Sequence, residues 1–289
     1  MGGLRVWVLF LLLLWGENIS LCYGAGKGKK EEKGGVPGVI YKGVDVSKYQ
    51  EKINWGKVKD EGIVFAYAKA SEGNSIQDRT FQENVQNARR EGIKISAYHF
   101  FRFHTPASQQ MKCFSNAIDM KNMDMVPALD IEEDIGNHHR GNIEKVRKNI
   151  RAFLKEFERR YHIKMVIYTN ETCYKRYIKG YFDDYPLWIC SIQGEVDFVD
   201  KYHFWQYSHR GRVKGIQGSV DMNYFTGNYF DWLNITFCRD KEEQIARTPL
   251  LKIGIKYSFI PTRIKRRIKL VSQECKLSIK GRKIEGATD

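Results

Sequence analysis

Met125-Val-Pro-Ala-Leu-Asp-Ile-Glu-Glu-Asp134 begins as an apolar strand and ends in four acids within five residues. Side chains alternate along an extended chain, so Ala128, Asp130 and Glu132 share one face and Leu129 and Ile131 the other. Two carboxylates therefore stand side by side on a strand whose reverse face is apolar. Unpaired buried charge costs several kcal/mol, so stability alone does not place acids there. An ionised Asp130 beside Glu132 is expected to raise the pKa of Glu132 until it can donate a proton near neutrality.

On either side of this strand the pattern repeats. Val39–Val46 reads as a strand carrying Asp45, Ile53–Glu61 as a helix, and Ile63–Ala70 as a second buried strand. Thr80 is placed to cap a helix through Arg90 that Gly92 ends. Ile93–Phe101 is a third strand, and Pro106 opens a helix towards Met120. After the Asp130 strand, Ile143, Val146, Ile150, Phe153, Leu154, Phe157 and Tyr161 recur at helical spacing. Met165–Thr169 is the fifth strand, with a short helix from Glu171 to Ile178. Leu187–Cys190, His203–Tyr207 and Ser219–Met222 then follow as strands with no helix long enough to cross between them.

Five β-α units followed by three strands predict an α/β fold, an irregular, TIM-barrel-like β/α barrel whose parallel sheet closes on itself. The span 39–233, about 195 residues, is short for a complete eightfold barrel, which fits the missing helices. Active sites of such barrels lie at the C-terminal ends of the strands. Asp45, Lys69, Tyr98, Asp130, Glu132, Tyr168, Trp205 and Asp221 all fall at or near that rim.

The remainder of the chain is read as appended segments. Residues 1–24 carry Arg5 and an uncharged apolar run Val6–Trp15, with the small residues Gly24 and Ala25 at their end, the pattern of an export signal. Residues 25–38 form a Gly- and Lys-rich flexible linker. Residues 234–289 are a basic extension: from Arg239 onward, 14 Lys and Arg face 6 Asp and Glu, over half of the chain's net +14. Within it Leu251, Ile253, Ile255, Tyr257 and Phe259 alternate with polar residues as in a half-buried strand. The six cysteines show no metal-ligand spacing, and without Cys22 five remain, enough for at most two disulfides. No metal and no cofactor are expected.

The rim offers no Ser-His-Asp or Cys-His arrangement at strand-end positions, and no Gly-rich phosphate loop follows a strand. Acids and aromatics suit glycoside hydrolysis, in which one acid protonates the leaving oxygen and aromatic faces stack on sugar rings. Six ordered motifs carry a resemblance: Gly43-Val-Asp-Val-Ser-Lys-Tyr-Gln50, Ala68-Lys-Ala-Ser-Glu-Gly73, Ser96-Ala-Tyr-His-Phe-Phe101, Ala128-Leu-Asp-Ile-Glu132, Phe204-Trp-Gln-Tyr207 and Val220-Asp221. Together they resemble family 25 of the glycoside hydrolases, the Chalaropsis-type lysozymes or N-acetylmuramidases. The resemblance implies a barrel of five helices and eight strands that cleaves the β-1,4 bond between N-acetylmuramic acid and N-acetylglucosamine in peptidoglycan. It implies Glu132 as general acid with Asp130 assisting, Asp45 and Asp221 completing the acidic floor, and Lys69, Tyr98, Tyr168 and Trp205 along the glycan groove.

Cys190 departs from the family pattern, which has a small residue such as Ala there, and Glu133 and Asp134 lengthen the acidic run. The basic extension has no family counterpart, and contact with anionic wall polymers or a membrane surface is its functional reading. The expected partner is peptidoglycan glycan strands, met by a monomer that is secreted or held in the periplasm or cell envelope. A barrel that binds peptidoglycan without cutting it and a hydrolase of another N-acetylated glycan such as chitin are the alternatives. An acidic rim in an exported chain argues against nucleic acid.

Overall fold

The structure, a computed structural model, describes residues 41–134, 136–138 and 141–237. The segments read as export signal and linker, nearly all of the basic extension, and Cys22, Cys238 and Cys275 lie outside the described residues. Cys113, Cys173 and Cys190 are free thiols.

Eight strands form the frame: β1 (Tyr41–Val46), β2 (Ile63–Glu72), β4 (Lys94–Phe100), β5 (Ala128–Ile131), β6 (Val166–Asn170), β7 (Leu187–Cys190), β8 (Phe204–Gly211) and β9 (Val220–Phe225). A two-residue strand, β3 (Ile76–Gln77), pairs on the side of β2. The sheet runs β1-β9-β8-β7-β6-β5-β4-β2, and β2 pairs with β1, so the barrel closes. Four helices lie between strands: α1 (Trp55–Asp60), α2 (Phe81–Arg90), α3 (Ala107–Ala117) and α4 (Ile143–Tyr161). The short helix expected at 171–178 is a helical turn, Glu171–Cys173, running into a π-helical stretch, Tyr174–Ile178. No helix among the described residues is long and apolar enough to cross a membrane.

Period-two alternation sorts the strand residues into two cores. Phe65, Tyr67, Ala128, Val166, Trp188, Phe204 and Phe225 fill the barrel interior. Val44, Ala66, Ile95, Leu129, Ile131, Ile167 and Ile189 face outward into a second layer shared with α2, α3 and α4. Gly43 is needed in β1 because a Cβ there would stand 2.3 Å from the Phe65 ring.

The expectation of an all-parallel barrel fails at one strand. β9 is antiparallel to both β8 and β1. The β8–β9 connection, residues 212–219, is too short for the dozen or so residues of a parallel crossover, so the chain turns back. Asp221 therefore sits near the start of its strand, yet at the same rim as the other strands' C-terminal ends. The α2 cap also differs: Thr80 makes no capping bond with its side chain, whose hydroxyl donates to Asp78 Oδ1 at 2.7 Å and accepts from Asn84 Nδ2 at 3.3 Å. Gly92 does end that segment, at φ +79°.

The barrel extends past Leu233, where the sequence suggested a boundary. A last helix, α5 (Tyr229–Ile235), seals the end opposite the rim. Trp232 packs edge-on to Phe225 and Phe65 at centroid distances of 4.9 and 5.9 Å. Val126 N–H donates to Ile235 O at 2.8 Å and Phe237 N–H to Asp124 O at 2.7 Å, tying the segment to the entry of β5. Trp232→Ala leaves a void inside the barrel. It is expected to lower unfolding free energy by about 3–5 kcal/mol, read as a fall in the urea midpoint at unchanged slope.

Candidate active site

The strand ends surround a cleft of about 550 Å³ lined by Asp45, Lys69, Tyr98, Asp130, Glu132, Tyr168 and Asp221. Seven of the eight residues picked from the sequence thus meet in one place. Trp205 does not line it. In β8 the inward positions are Phe204 and Gln206, and the Trp205 indole N–H donates instead to Ser191 O at 2.9 Å. The aromatic floor of the cleft comes from Trp188 of β7.

Barrel closure sets Asp45 and Asp221 opposite each other in the β1–β9 register. Asp45 is 8 % exposed. Its Oδ2 accepts from Gln206 Nε2 at 2.9 Å and Asn223 Nδ2 at 2.7 Å. Both amides are themselves oriented. Trp188 Nε1–H, a donor only, takes Asn223 Oδ1 at 2.8 Å and leaves the NH₂ to face Asp45. Tyr168 O–H does the same for Gln206 Oε1 at 2.8 Å. Burial, then the neighbouring Asp221 charge, raises the Asp45 pKa well above the usual carboxylate range despite these two bonds.

Asp130 lies one residue before the end of β5 at 6 % exposure, and its Oδ1 is buried without a hydrogen-bond partner. Its pKa is raised well above the ordinary value, first by burial and then by Glu132. Glu132 is raised to about 7, again first by burial, with Asp134 and Asp221 adding and His209 opposing. The expectation that an ionised Asp130 keeps Glu132 protonated is thus corrected. The low-dielectric barrel mouth raises both acids, and burial, not an ionised Asp130, is the first cause at Glu132.

A second group of charges forms one wall. Lys69 Nζ bonds Glu72 Oε2 at 2.6 Å, and Arg102 Nε bonds Glu72 Oε1 at 2.9 Å. Arg102 also reaches Asp134 Oδ1 at 3.1 Å, and both cations lie 4.8 Å from the Phe100 ring centre. Glu133 turns away from the cleft, where it accepts from Arg176 at 3.0 Å and from the Tyr177 hydroxyl. This anchor holds the chain just beyond β5 and leaves Glu132 facing the cleft.

Sequence reasoning missed Gln206, Asn223, Trp188 and His209. Period two carried the first two, since Gln206 follows inward Phe204 and Asn223 follows Asp221. His209 had no such signal. Regular alternation from Phe204 would turn it outward, but the β8–β9 register shifts between Gln206 and Ser208 and again before Gly211. His209 reaches the cleft, with Nδ1 2.9 Å from Asp221 Oδ1.

The proton on Glu132 makes a stability prediction. A folded-state pKa above the ordinary 4.5 means that the folded chain binds this proton more tightly than the unfolded one. The associated stability is full below the ordinary value and is lost as pH rises through about 7. Glu132→Gln carries no such proton, so it is expected to raise the melting temperature at alkaline pH and leave it unchanged in acid. An equal effect at both would show that the carboxylate is solvated.

Comparison with known proteins gives the arrangement its family. The model for glycosyl hydrolases family 25 matches residues 44–216. An uncharacterized protein of Escherichia coli K12, YegX, is 37% identical over 194 residues, 64% of this chain and 69% of its own. Lysozyme M1 of Streptomyces globisporus is 33% identical over 202 residues, 64% of this chain and 68% of that protein. The structure of a family 25 glycosyl hydrolase from Bacillus anthracis superposes with a TM-score of 0.63 at 29% identity, covering 68% of this chain and 94% of that one. With more than half of its length inside the family match and the acids of its motifs gathered at one rim, the chain belongs to family 25 of the glycosyl hydrolases.

Proposed function

We propose that the protein is an N-acetylmuramidase that hydrolyses the β-1,4 bond between N-acetylmuramic acid and N-acetylglucosamine in peptidoglycan. Glu132 is the general acid and Asp130 assists it. The observation that carries this reading is a rim glutamate kept protonated to about pH 7 beside a buried aspartate with an unpartnered oxygen. A proton held near neutrality is what a leaving glycosidic oxygen requires.

The other two acids support a substrate-assisted route. Asp45 Oδ2 is held by two amides and Asp221 Oδ1 by His209, so both acids are fixed in the floor of the cleft, whereas the buried Asp130 Oδ1 has no partner. Asp130 Oδ1 is free to accept the N–H of a 2-acetamido group as its carbonyl oxygen closes on the anomeric carbon. Asp45 and Asp221 then complete the acidic floor beneath the oxocarbenium-like centre. Tyr98 and Tyr168 remain neutral phenols, since burial raises both, and with Lys69 they line the glycan groove.

Muropeptide analysis of digested peptidoglycan tests the bond assignment: reducing-end muramic acid is expected, and reducing-end glucosamine would make the enzyme a glucosaminidase. Glu132→Gln is expected to lose activity by roughly 10²–10⁴ while staying folded. Wild-type activity should decline as pH rises through about 7, where Glu132 gives up its proton.

The wider assignment is that an exported monomer acts in the cell envelope or outside the cell, with residues 1–24 as the signal. The basic extension then holds the barrel near anionic wall polymers, an attraction that salt weakens. Truncation after Phe237 is expected to leave cleavage of short soluble glycans unchanged and to weaken binding to intact walls at low salt only. Equal wall binding at every salt concentration rules the electrostatic role out.

A further inference from the structure

Among the described residues, Tyr49, Val64, Ile76, Tyr181 and Ile192 are the large apolar side chains left exposed. Two of these five line the catalytic cleft, Tyr49 at 77 % exposure and Ile76 at 48 %. Tyr49 lies in the turn Lys48–Gln50 that follows β1, and Ile76 begins β3. The Tyr168 and Trp188 rings of the same cleft are buried by comparison. We propose that Tyr49 and Ile76 form an outer sugar-binding platform, on which a saccharide unit of the glycan strand stacks beyond the acids that cut it.

Both residues are held in place by their surroundings. Ser47 closes a capping box on the turn: its Oγ accepts from Tyr49 N–H at 3.4 Å, and its own N–H donates to Gln50 Oε1 at 3.0 Å. Gln50 Nε2 reaches across to Ser219 O at 3.2 Å. β3 is fixed by antiparallel pairing of Ile76 with Glu72 and of Gln77 with Ser71. Lys48 N–H donates to Asp78 Oδ2 at 2.9 Å, which joins the turn to the segment after β3. Arg79 pairs with Glu51 at 2.6 Å across the same junction. The two loops thus form one lip, whose exposed groups need little ordering when a ligand arrives.

A pyranose ring presents an apolar C–H face bordered by hydroxyls, so an aromatic face with polar neighbours matches it. Lys48 Nζ stands over one face of the Tyr49 ring, 5.5 Å from its centre, and the ring otherwise opens to the cleft. Ile76 extends the apolar surface, and Gln77 supplies an amide at its edge. Such surface is unfavourable in water and gains by being covered. Continuity identifies what covers it. The lip shares one cavity of about 550 Å³ with Asp45, Lys69 and Glu132, so a strand held at the acids runs onto it. The proposal rests on the glycan-cleaving reading of that cleft, and it means that long strands are held more tightly than short fragments.

Peptide-free peptidoglycan glycans of two, four and six sugars, titrated by calorimetry into the full chain carrying Glu132→Gln, test the platform. Affinity is expected to rise with length. Adding Tyr49→Ala should remove roughly 3–12-fold of that rise, the scale of one aromatic contact, and leave the disaccharide unchanged. Ile76→Ser should remove a smaller part, and Tyr49→Phe should retain all of it. Both side chains are exposed, so these variants should keep the parent melting curve. In the active chain, Tyr49→Ala should raise KM on long glycans at constant kcat. No rise with length, a rise untouched by Tyr49→Ala, or an equal loss at every length overturns the platform. So does a dimer in sedimentation that Tyr49→Ala dissolves, which would put a second copy of the chain on the lip. Oligomers of N-acetylglucosamine in the same titration separate this inference from the peptidoglycan reading. A Tyr49-dependent gain with them alone keeps the platform and overturns peptidoglycan as the substrate.

Discussion

The pairing of the first strand with the last holds this molecule together. β9 lies between β8 and β1, and it is the only barrel strand among the described residues that runs against its neighbours. Reversal places the start of β9 at the rim, so Asp221 comes to stand opposite Asp45. It also brings Asn223, two residues on and on the same face, within 2.7 Å of the Asp45 carboxylate. Without that pairing, Asp45 would lose an amide partner and its acidic neighbour together.

Closure also fixes the dielectric at the rim. Inside the barrel, rings from β2, β7, β8 and β9 stack upward, with Tyr67 against Trp188 at 4.7 Å and Phe204 against Phe225 at 5.2 Å. The acids sit directly on this apolar column, which is why burial is the first cause of the raised pKa at Asp45, Asp130 and Glu132. Charge repulsion among them is secondary. A group of acids in such a place stores unfavourable energy that only the surrounding structure can hold. The oriented amides, the Lys69–Glu72–Arg102 wall and the α5 seal supply that restraint.

The same negative field links the site to its less expected members. Cys190 and His209 sit where the acids converge, and His209 opposes the rise at Glu132 while holding Asp221. A histidine in that position couples one acid of the floor to the acid that donates the proton. Anything that changes the charge of the imidazole or its sulfur neighbour therefore acts on the chemistry at short range.

Most of the barrel was legible along the chain because local periodicity reports burial. The alternation in Ala128–Glu132 named the inward acids, and the helical spacing from Ile143 to Tyr161 named the face that α4 buries. Strand-end position sufficed to put Asp45, Lys69, Tyr98, Tyr168 and Asp221 at the rim. What the chain alone could not decide depends on strand direction and register. The reversal of β9 follows from a short loop meeting a strand already in place, and the bulges that turn His209 inward follow from the partner strand. Alternation is a property of one strand, whereas register is a property of two. For that reason the acids could be read from the sequence, but the amides, the imidazole and the thiol that surround them were assembled only by the closed barrel.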